Sequence, residues 1–520
     1  MIELGTPVWT SGQFTRRSAL DDLGLESVGA GLLRRLIPGV VQTTGNAGYY
    51  AFYPYLLAKW EDEHESVSRS DFKPFYRRQE AAYAAACVLH SHRGALGGIQ
   101  GAIRGGAAVH AATDSLNVDK LAESYMDSPY GGYGLFYARA LEDMRLTQLG
   151  AQRYVDRVTD AGRAVAGGFA REFEDTRYYR DYFEAAVVPL DVLKELGERT
   201  CSCSIPGRAD HKPLLDAFFG ELEEDPVWAT RRRTRIESLS LFLEYHRQRP
   251  ETDTGDARSF RTLLAQRAFA GGATFSTPFA ERLNSWRAYQ MRECETLVLT
   301  SIWSWYLRRL EQLEPVSHAA LRDDLVAGAA WDRIGITATT PLADALAEAA
   351  RQLVGGEEIV AAAYETAGNV DEPAVPLAVG LQTLLALSVV ATDEEHGFAE
   401  LVDEGGPGRW SLDYLRQWFS LREGDQVASV LAELLDEIHH QHVRVSLGKV
   451  SPLGQRDPFC FSEDDGLLRL LRTDAPFWTT ARFEVVNHLL WTLGLLEAPD
   501  GRARPTDLGA EILAGAHARA

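Results

Sequence analysis

The chain has little lysine, little cysteine and no long apolar run. Of its 53 lysines and arginines, six are lysines, at positions 59, 73, 120, 194, 212 and 449. Five cysteines, an odd number in a chain of 520 residues, favour a reducing cytoplasm over a disulfide framework. Residues 1–17 show no charged leader followed by an apolar core. We therefore expect a cytoplasmic protein.

One of the longest apolar segments, 374–390, reads AVPLAVGLQTLLALSVV. It is too short for a comfortable membrane span, and Pro376, Gln382 and Thr383 interrupt it. No membrane partner is expected from this pattern.

Motifs for nucleotide and hydrolytic chemistry are missing from the sequence. The pair Gly448-Lys449 could suggest a phosphate loop, but Val443 stands where its first glycine should be and Val450 replaces its serine or threonine. Neither H-E-x-x-H nor G-x-S-x-G occurs. The sequence thus predicts no cofactor, no catalytic residue and no ATP hydrolysis by this chain alone.

What the sequence does contain is helical periodicity. Ile236, Leu239, Leu243 and His246 recur at spacings of three and four, and similar patterns cover 297–313 and 427–438. Segments with the alternation of strands are few and short. The sequence predicts a mainly α, multi-domain protein with one or two winged-helix modules built on small β-hairpins.

Polar segments rich in glycine, proline and aspartate suggest joints near 110, 205 and 400. They divide the chain into an N-terminal helical domain (1–110), a helical domain with a second winged helix (111–205), a central helical domain (206–400) and a C-terminal region that ends in a winged helix (401–520).

An internal similarity supports the winged helices. VTDAGRAVAGG at 158–168 and PTDLGAEILAG at 505–515 share a T-D-x-G motif. Thr159 and Thr506 are suited to N-cap a helix, and Gly162 and Gly509 would let that helix approach another element closely. A predicted helix and hairpin precede each copy, at 133–157 and 480–504.

The formal charge of −21 restricts any nucleic-acid contact to a local patch. The densest basic run, at the predicted start of a helix, contains Arg231, Arg232, Arg233 and Arg235. It could form a phosphate-binding face, or it could balance the acidic residues just upstream, which are Glu221, Glu223, Glu224 and Asp225.

The candidate recognition helix of the C-terminal winged helix, 480–493, has few polar side chains. Arg482 is its one arginine, and Arg502 and Arg504 lie on the wing. These three residues could contact nucleic acid. Because a helix that reads DNA presents several basic or amide side chains, we expect this module to bind mainly protein.

An alternative interpretation is a metal-dependent nuclease of the restriction type. Such a site needs an upstream carboxylate and a (D/E)-x-K tripeptide, which hold the metal and steady the attacking water. Asp191, Asp210 and Lys212 have a permissible spacing, although both acids adjoin predicted helices rather than strands.

Two further groups could ligate metal, but neither is complete. Cys201-x-Cys203 is at most half of a zinc site. His439, His440 and His442 follow Asp436 at the predicted end of a helix, where positive charge is favoured without any metal. We therefore predict no bound metal.

The segment 22–60 reads DLGLESVGAGLLRRLIPGVVQTTGNAGYYAFYPYLLAKW. It resembles the opening of an uncharacterised family of bacterial proteins often found among phage-defence genes. The matching residues are Asp22, Leu23, Gly24, Leu25, Pro38, Gly39, Thr43, Ala47, Tyr49, Tyr50, Phe52, Tyr53 and Pro54. In that family an arginine commonly precedes the aromatic pair, where this chain has Gly48.

The resemblance extends more loosely to 201–203, 286–307 and 442–496. It implies defence against mobile DNA and a role as one subunit among several, but it implies no reaction. Taken from the residues alone, the aromatic run 49–55 is a packed core stripe.

The leading interpretation is a non-catalytic adaptor or structural subunit of a multi-protein bacterial defence or DNA-maintenance complex. Its expected partners are protein subunits, including an ATPase, because this chain lacks the motor motif. Double-stranded DNA is a further partner that winged helices permit. The same modules also permit a winged-helix transcriptional regulator, which is the third interpretation.

Overall fold

The computed structural model describes residues 21–90, 103–126, 130–151, 154–201, 203, 205–221, 225–368, 374–390, 410–450, 458–477 and 481–520. Within these ranges the protein is mainly α with small two-stranded antiparallel sheets, as predicted. The predicted boundary near 400 lies outside the described residues.

Packing groups the chain into two compact units, each assembled from separate stretches of sequence. The first unit comprises the described residues within 1–32, 261–272 and 283–479, and the second comprises those within 33–260, 273–282 and 480–520. Unit boundaries fall inside three helices, which are α1 (Glu26–Leu36), α11 (Ala257–Gln266) and α12 (Ala280–Leu313).

The remaining elements of the first unit are mostly helices. They are α13 (His318–Ala327), α14 (Leu342–Gln352), α15 (Gly356–Gly368), α16 (Ala374–Val390), α17 (Leu412–Ser420), α18 (Val427–Lys449), β5 (Phe461–Asp464) and β6 (Leu467–Leu470). The two strands form an antiparallel hairpin in which Phe461 faces Leu470.

The core of the first unit surrounds α12 and α16. Both helices are buried on nearly all sides over most of their length, as expected for a helix with neighbours all round it. Val427, Val430, Leu431, Leu434 and Leu435 line the buried face of α18 that the periodicity predicted. Unlike the prediction, this helix continues past residue 438 to Lys449.

The second unit contains most of the other elements. They are α2 (Tyr49–Glu63), α3 (Arg69–His90), α4 (Ile103–Ala111), β1 (Ser115–Asn117), α5 (Val118–Ser124), α6 (Ala138–Asp143), β2 (Thr147–Gln148), β3 (Arg157–Val158), α7 (Asp160–Phe173), β4 (Val187–Pro189), α8 (Leu190–Thr200), α9 (His211–Phe219), α10 (Pro226–Gln248), α19 (Phe483–Thr492), β7 (Leu496–Glu497), β8 (Arg504–Pro505) and α20 (Asp507–His517).

Single turns of other helix types complete both units. These are π-helical turns at Tyr133–Tyr137 and Tyr178–Tyr182 and 3₁₀ turns at Ala270–Gly272 and Trp331–Ile334. The hairpins of the second unit pair β2 with β3 and β7 with β8, while β1 pairs with the distant β4, all antiparallel.

The aromatic run at the start of α2 is core, which confirms the interpretation made from the residues. Tyr49, Tyr50, Phe52 and Tyr53 are all buried. The ring of Phe52 stacks on that of Tyr83 with centroids 4.3 Å apart. Rings from α2, α3 and α7 thus hold these helices together.

Within the described residues, no helix is long and apolar enough to cross a membrane. The segment 374–390 is a helix, but it packs inside the first unit, where Leu381 and Leu384 are buried.

Candidate functional site

The two copies of the T-D-x-G motif belong to two helix–hairpin–helix modules of the second unit. Module A comprises residues 133–173, with α6, the β2–β3 hairpin and α7. Module B comprises residues 483–517, with α19, the β7–β8 hairpin and α20. The predicted order of helix, hairpin and capped helix is confirmed in both.

The cap is built in the same way in both modules. The Thr159 hydroxyl accepts from the Gly162 amide at 3.1 Å, and the Thr506 hydroxyl accepts from the Gly509 amide at 3.1 Å. Each hydroxyl also donates, at 2.7 Å, to a carbonyl at the start of its hairpin, that of Arg145 or Gly494. Each threonine therefore joins the second helix of its module to the hairpin.

The glycine of each motif allows close approach. A Cβ on Gly162 would lie 2.0 Å from the Leu146 carbonyl oxygen, and a Cβ on Gly509 would lie 2.2 Å from the Leu495 carbonyl oxygen. Any side chain there would collide with backbone, so both positions require glycine. This confirms the role predicted for the two glycines.

The segment 38–48, which carries the middle of the family-like motif, contacts both modules. A Cβ on Gly39 would lie 2.6 Å from the Met144 side chain of module A, and one on Gly45 would lie 2.8 Å from the Val485 carbonyl oxygen of module B. The Thr492 hydroxyl of module B accepts from the Ala47 amide at 3.4 Å. The motif thus joins the two modules.

The candidate recognition helix of module B, α19, lies in the core. Phe483, Val486, Leu489 and Leu490 are buried, and so is Arg482, which is 5% exposed. A helix that reads DNA must reach the groove with its side chains. Arg482 is therefore not a surface contact for nucleic acid, and its assignment to that role is corrected.

The predicted basic run begins in the first turns of α10, and its residues have different environments. Arg235 is buried, and its guanidinium donates to the Ala217 carbonyl at 3.1 Å. Burial lowers its pKa to about 9. Arg232 donates to the Asp216 carbonyl. Arg235 is thus an internal residue, and its assignment as a nucleic-acid contact is corrected.

Arg231 and Arg233 are exposed. Arg231 meets the buried carboxylate of Asp143, at the end of α6, at 3.3 Å. Arg34 binds the same carboxylate with two hydrogen bonds, at 2.7 and 2.8 Å. Among the acidic residues upstream that the structure describes, Asp225 N-caps α10.

The two arginines on the wing of module B remain near the surface. Arg504 forms an exposed ion pair with Glu497 at 3.3 Å, and the Arg502 guanidinium donates to the Arg249 carbonyl. An exposed pair of this kind contributes little to stability.

The three residues of the nuclease interpretation are not brought together. Asp191 pairs with Arg177 at 3.0 Å in the first turn of α8, while Lys212 pairs with Asp216 at 3.1 Å. The Asp210 carboxylate is fully buried against Arg208.

Asp191 and Asp210 also lie in the first turn of α8 and just before α9, rather than on adjoining strands. The geometry of a restriction-type metal site is therefore missing, because its carboxylates must converge on one ion.

One possible metal-binding group among the described residues lies in the first unit. Atoms of Asp22, His442 and Cys460 that could ligate an ion lie within 4.8 Å of one another. The Cys460 thiol donates to the Asp22 carboxylate at 2.9 Å, and Arg472 forms an ion pair with that carboxylate. Burial raises the pKa of the Cys460 thiol.

The imidazole of His442 is also engaged at both nitrogens. Its Nε2 accepts from the Cys460 amide at 3.1 Å, and its Nδ1 donates to the Asp22 carbonyl at 3.2 Å. A cation would compete with the arginine and need a thiolate that burial disfavours. The group instead holds the D-x-L-G motif in place.

His439 of α18 belongs to a hydrogen-bonded chain that also contains Tyr306, His318 and Asp436. Asp436 accepts from His318 Nε2 at 2.7 Å, the Tyr306 hydroxyl donates to His318 Nδ1 at 2.7 Å, and His439 Nδ1 donates to the Tyr306 oxygen at 3.0 Å. Because α18 continues to Lys449, its histidines at 439, 440 and 442 are not at a helix C-terminus. This corrects the expectation that they follow the end of the helix.

The Cys201-x-Cys203 pair brings its two sulfur atoms to 3.1 Å. Neither belongs to a group of three converging ligands among the residues the structure describes. Zinc in proteins takes about four such ligands.

No protein-family model, curated protein or solved structure matches this chain.

Proposed function

We propose that this protein is a non-catalytic adaptor subunit of a multi-protein bacterial complex for defence or DNA maintenance. Its two helix–hairpin–helix modules serve as contact points for protein partners. The observation that carries the proposal is the placement of the modules. Their apolar helices pack in the core of the second unit, while their hairpins remain at the surface.

The hairpin of module A supports a protein contact. Tyr154, in the loop between β2 and β3, is 56% exposed, and Val67 beside it is 59% exposed. An isolated bridge between Ser68 and Tyr154 and a 2.9 Å bond from the Val155 amide to the Val67 carbonyl hold the two segments together. Exposed tyrosine beside an aliphatic side chain is typical of interface anchors.

The setting of the proposal comes from the resemblance of segment 22–60 to defence-associated proteins. The roles of that segment are structural in this chain, since Asp22 is an internal tether and Gly39 and Gly45 pack against the modules. A family whose shared residues maintain a scaffold is consistent with a subunit that assembles others.

The experiment is co-expression of the full chain with the products of neighbouring genes, including any ATPase, followed by size-exclusion chromatography with light scattering. We expect a stoichiometric complex. The double variant Val67→Ser and Tyr154→Ser should weaken assembly by at least about tenfold, since truncating one interface anchor costs 2 kcal/mol or more by order of magnitude.

Val354→Ser and Leu421→Ser serve as the matched control, because both are exposed aliphatic residues, 75% and 83%, of the first unit. The control should assemble normally, and both variants should keep the Tm. A chain that stays alone in the presence of every neighbour, or that cleaves DNA with Mg²⁺ or hydrolyses ATP unaided, contradicts the proposal.

A further inference from the structure

Trp228, in the first turn of α10, has two guanidinium groups beside its ring. The Cζ of Arg231 lies 5.1 Å from the ring centroid and that of Arg145 lies 5.7 Å from it. Both arginines are exposed, and the tryptophan is half-buried. A cation–π contact of this kind restrains a guanidinium group beside the ring.

Arg231 keeps most of its donors for a ligand. Within the part of the chain that the structure describes, its guanidinium makes one hydrogen bond, at 3.3 Å, to Asp143. The same carboxylate is already held by two shorter bonds from Arg34. Since a guanidinium carries five N–H donors, Arg231 can bind an anion without uncovering the Asp143 charge.

The backbone of Arg145 distinguishes module A from module B. Its φ is 58°, in the left-handed region where a Cβ is disfavoured. In module B the equivalent residue, which accepts from the capping threonine, is Gly494 with φ 73°. Module A therefore retains an arginine where its counterpart has the unstrained residue.

We propose that Arg145 and Arg231, positioned by Trp228, bind phosphate groups of the duplex DNA backbone. Guanidinium groups match phosphate oxygens with paired hydrogen bonds. Arg145 directly precedes the hairpin of module A, and on that hairpin the exposed Arg157 pairs with Gln148. Cations at the base of a wing suit a contact along a DNA backbone.

This contact is local, as the charge of −21 requires, and it should be sensitive to salt. The site lies at the base of the hairpin and involves none of the residues of the proposed protein contact. It can therefore fail without affecting the adaptor proposal, and the reverse also holds.

The test is fluorescence anisotropy of the full chain with a labelled duplex of a few helical turns, repeated at several salt concentrations. Arg145→Gly reproduces the residue of module B, so it should keep or raise the Tm while weakening binding. The slope of log K against log salt should fall by about one for each phosphate group that the variant no longer binds. Arg231→Gln should act in the same way.

Trp228→Leu separates positioning from contact. We expect it to lower affinity while leaving the salt slope unchanged, because it removes no cation. Arg267→Gly is the matched control, since Arg267 is an exposed arginine with φ 58° that follows α11 and donates to Asn284 at 3.0 Å. It loses the same charge and strain but should bind duplex normally.

Equal loss of binding in Arg145→Gly and Arg267→Gly would reduce the effect to net charge and overturn the proposal. The same holds if the unaltered chain shows no duplex binding at low salt. A phosphoserine peptide that competes with the duplex at equal concentration would assign the arginines to a phosphoprotein instead and would also overturn it.

Discussion

Glu80 lies on α3, and tyrosine side chains enclose its carboxyl group. Its Oε1 accepts from the Tyr53 hydroxyl at 3.0 Å and from the Gly132 amide, and the side chain is fully buried. Burial raises its pKa to about 7, which hydrogen bonds and Arg77 offset only in part. The sequence gives no sign of this environment, because the hydrogen-bond partners Tyr53 and Gly132 are distant from Glu80 in the chain.

Glu80→Gln tests what this burial costs. The pKa of Glu80 is 4.5 in the unfolded chain and about 7 in the folded protein. At pH values between these two, the folded state binds more protons than the unfolded state. The stability that protonated Glu80 contributes is therefore fully present below pH 4.5. This contribution, about 3 kcal/mol, is lost as the pH rises through 7. Urea unfolding at several pH values should show that loss in the unaltered chain and a flatter profile in Glu80→Gln.

The exposed Glu484→Gln is the control for removing a charge without burial. If Glu80→Gln follows the same pH profile as the unaltered chain, then Glu80 is ionised in the folded protein at neutral pH and the assignment is wrong.

At the scale of elements, the two modules show how much of a local structure a short motif specifies. Two residues after each first helix stands a residue of positive φ, Arg145 or Gly494. The residue that follows it donates its amide back to a carbonyl five residues earlier. The bonds are Leu146 to Leu141 at 2.9 Å and Leu495 to Leu490 at 2.8 Å. This is the usual geometry of a helix C-terminus, and it sends the chain into the hairpin.

Removing the capping hydroxyls should weaken both modules. Thr159→Ala and Thr506→Ala are each expected to lower the free energy of unfolding by about 1 kcal/mol, because the amide of Gly162 or Gly509 loses its acceptor. Urea denaturation measures the loss, and Thr339→Ala, in an exposed turn, is the control.

Gly509→Ala should cost more than either threonine change, since its Cβ would meet the Leu495 carbonyl oxygen at 2.2 Å. A Gly509→Ala protein as stable as the unaltered chain would show that the hairpin and α20 are not packed as described.

At the scale of the whole molecule, the C-terminal residues belong to the core of the second unit rather than to a detachable module. Phe483 contacts the rings of Phe260 and Tyr245 with centroids 5.1 and 5.7 Å apart. His246 on α10 and Asn487 on α19 share a hydrogen bond of 2.9 Å. A unit whose core is assembled from separate stretches of the sequence loses part of that core when its last stretch is removed.

A chain that ends at residue 479 should therefore lose more than a binding module. We expect rapid amide exchange along α10, because α19, β8 and α20 all pack against it. Hydrogen exchange with mass spectrometry measures this, and a chain ending at residue 518, just past α20, is the control. Protected α10 amides in the shorter chain would show that 480–520 is a separable module.

The sequence by itself determined the features that depend on near neighbours. Periodicity predicted the buried faces of α10 and α18, and the T-D-x-G motif predicted two caps, two close glycines and two hairpins. These follow from local geometry, because a cap needs only the residues of one helical turn and a hairpin only its own strands. The aromatic run 49–55 was likewise recognisable as core from its composition.

Only the tertiary structure decided the positions of the charged residues. Arginines in basic segments look alike in sequence, yet Arg235 and Arg482 are internal, whereas Arg231 meets Asp143 from 88 positions away. The sequence likewise did not predict the contact of Trp228 with Arg145. Nor did it predict the separation of Asp191, Asp210 and Lys212. Burial and ion pairing depend on which distant segments pack together, and spacing along the chain does not encode that.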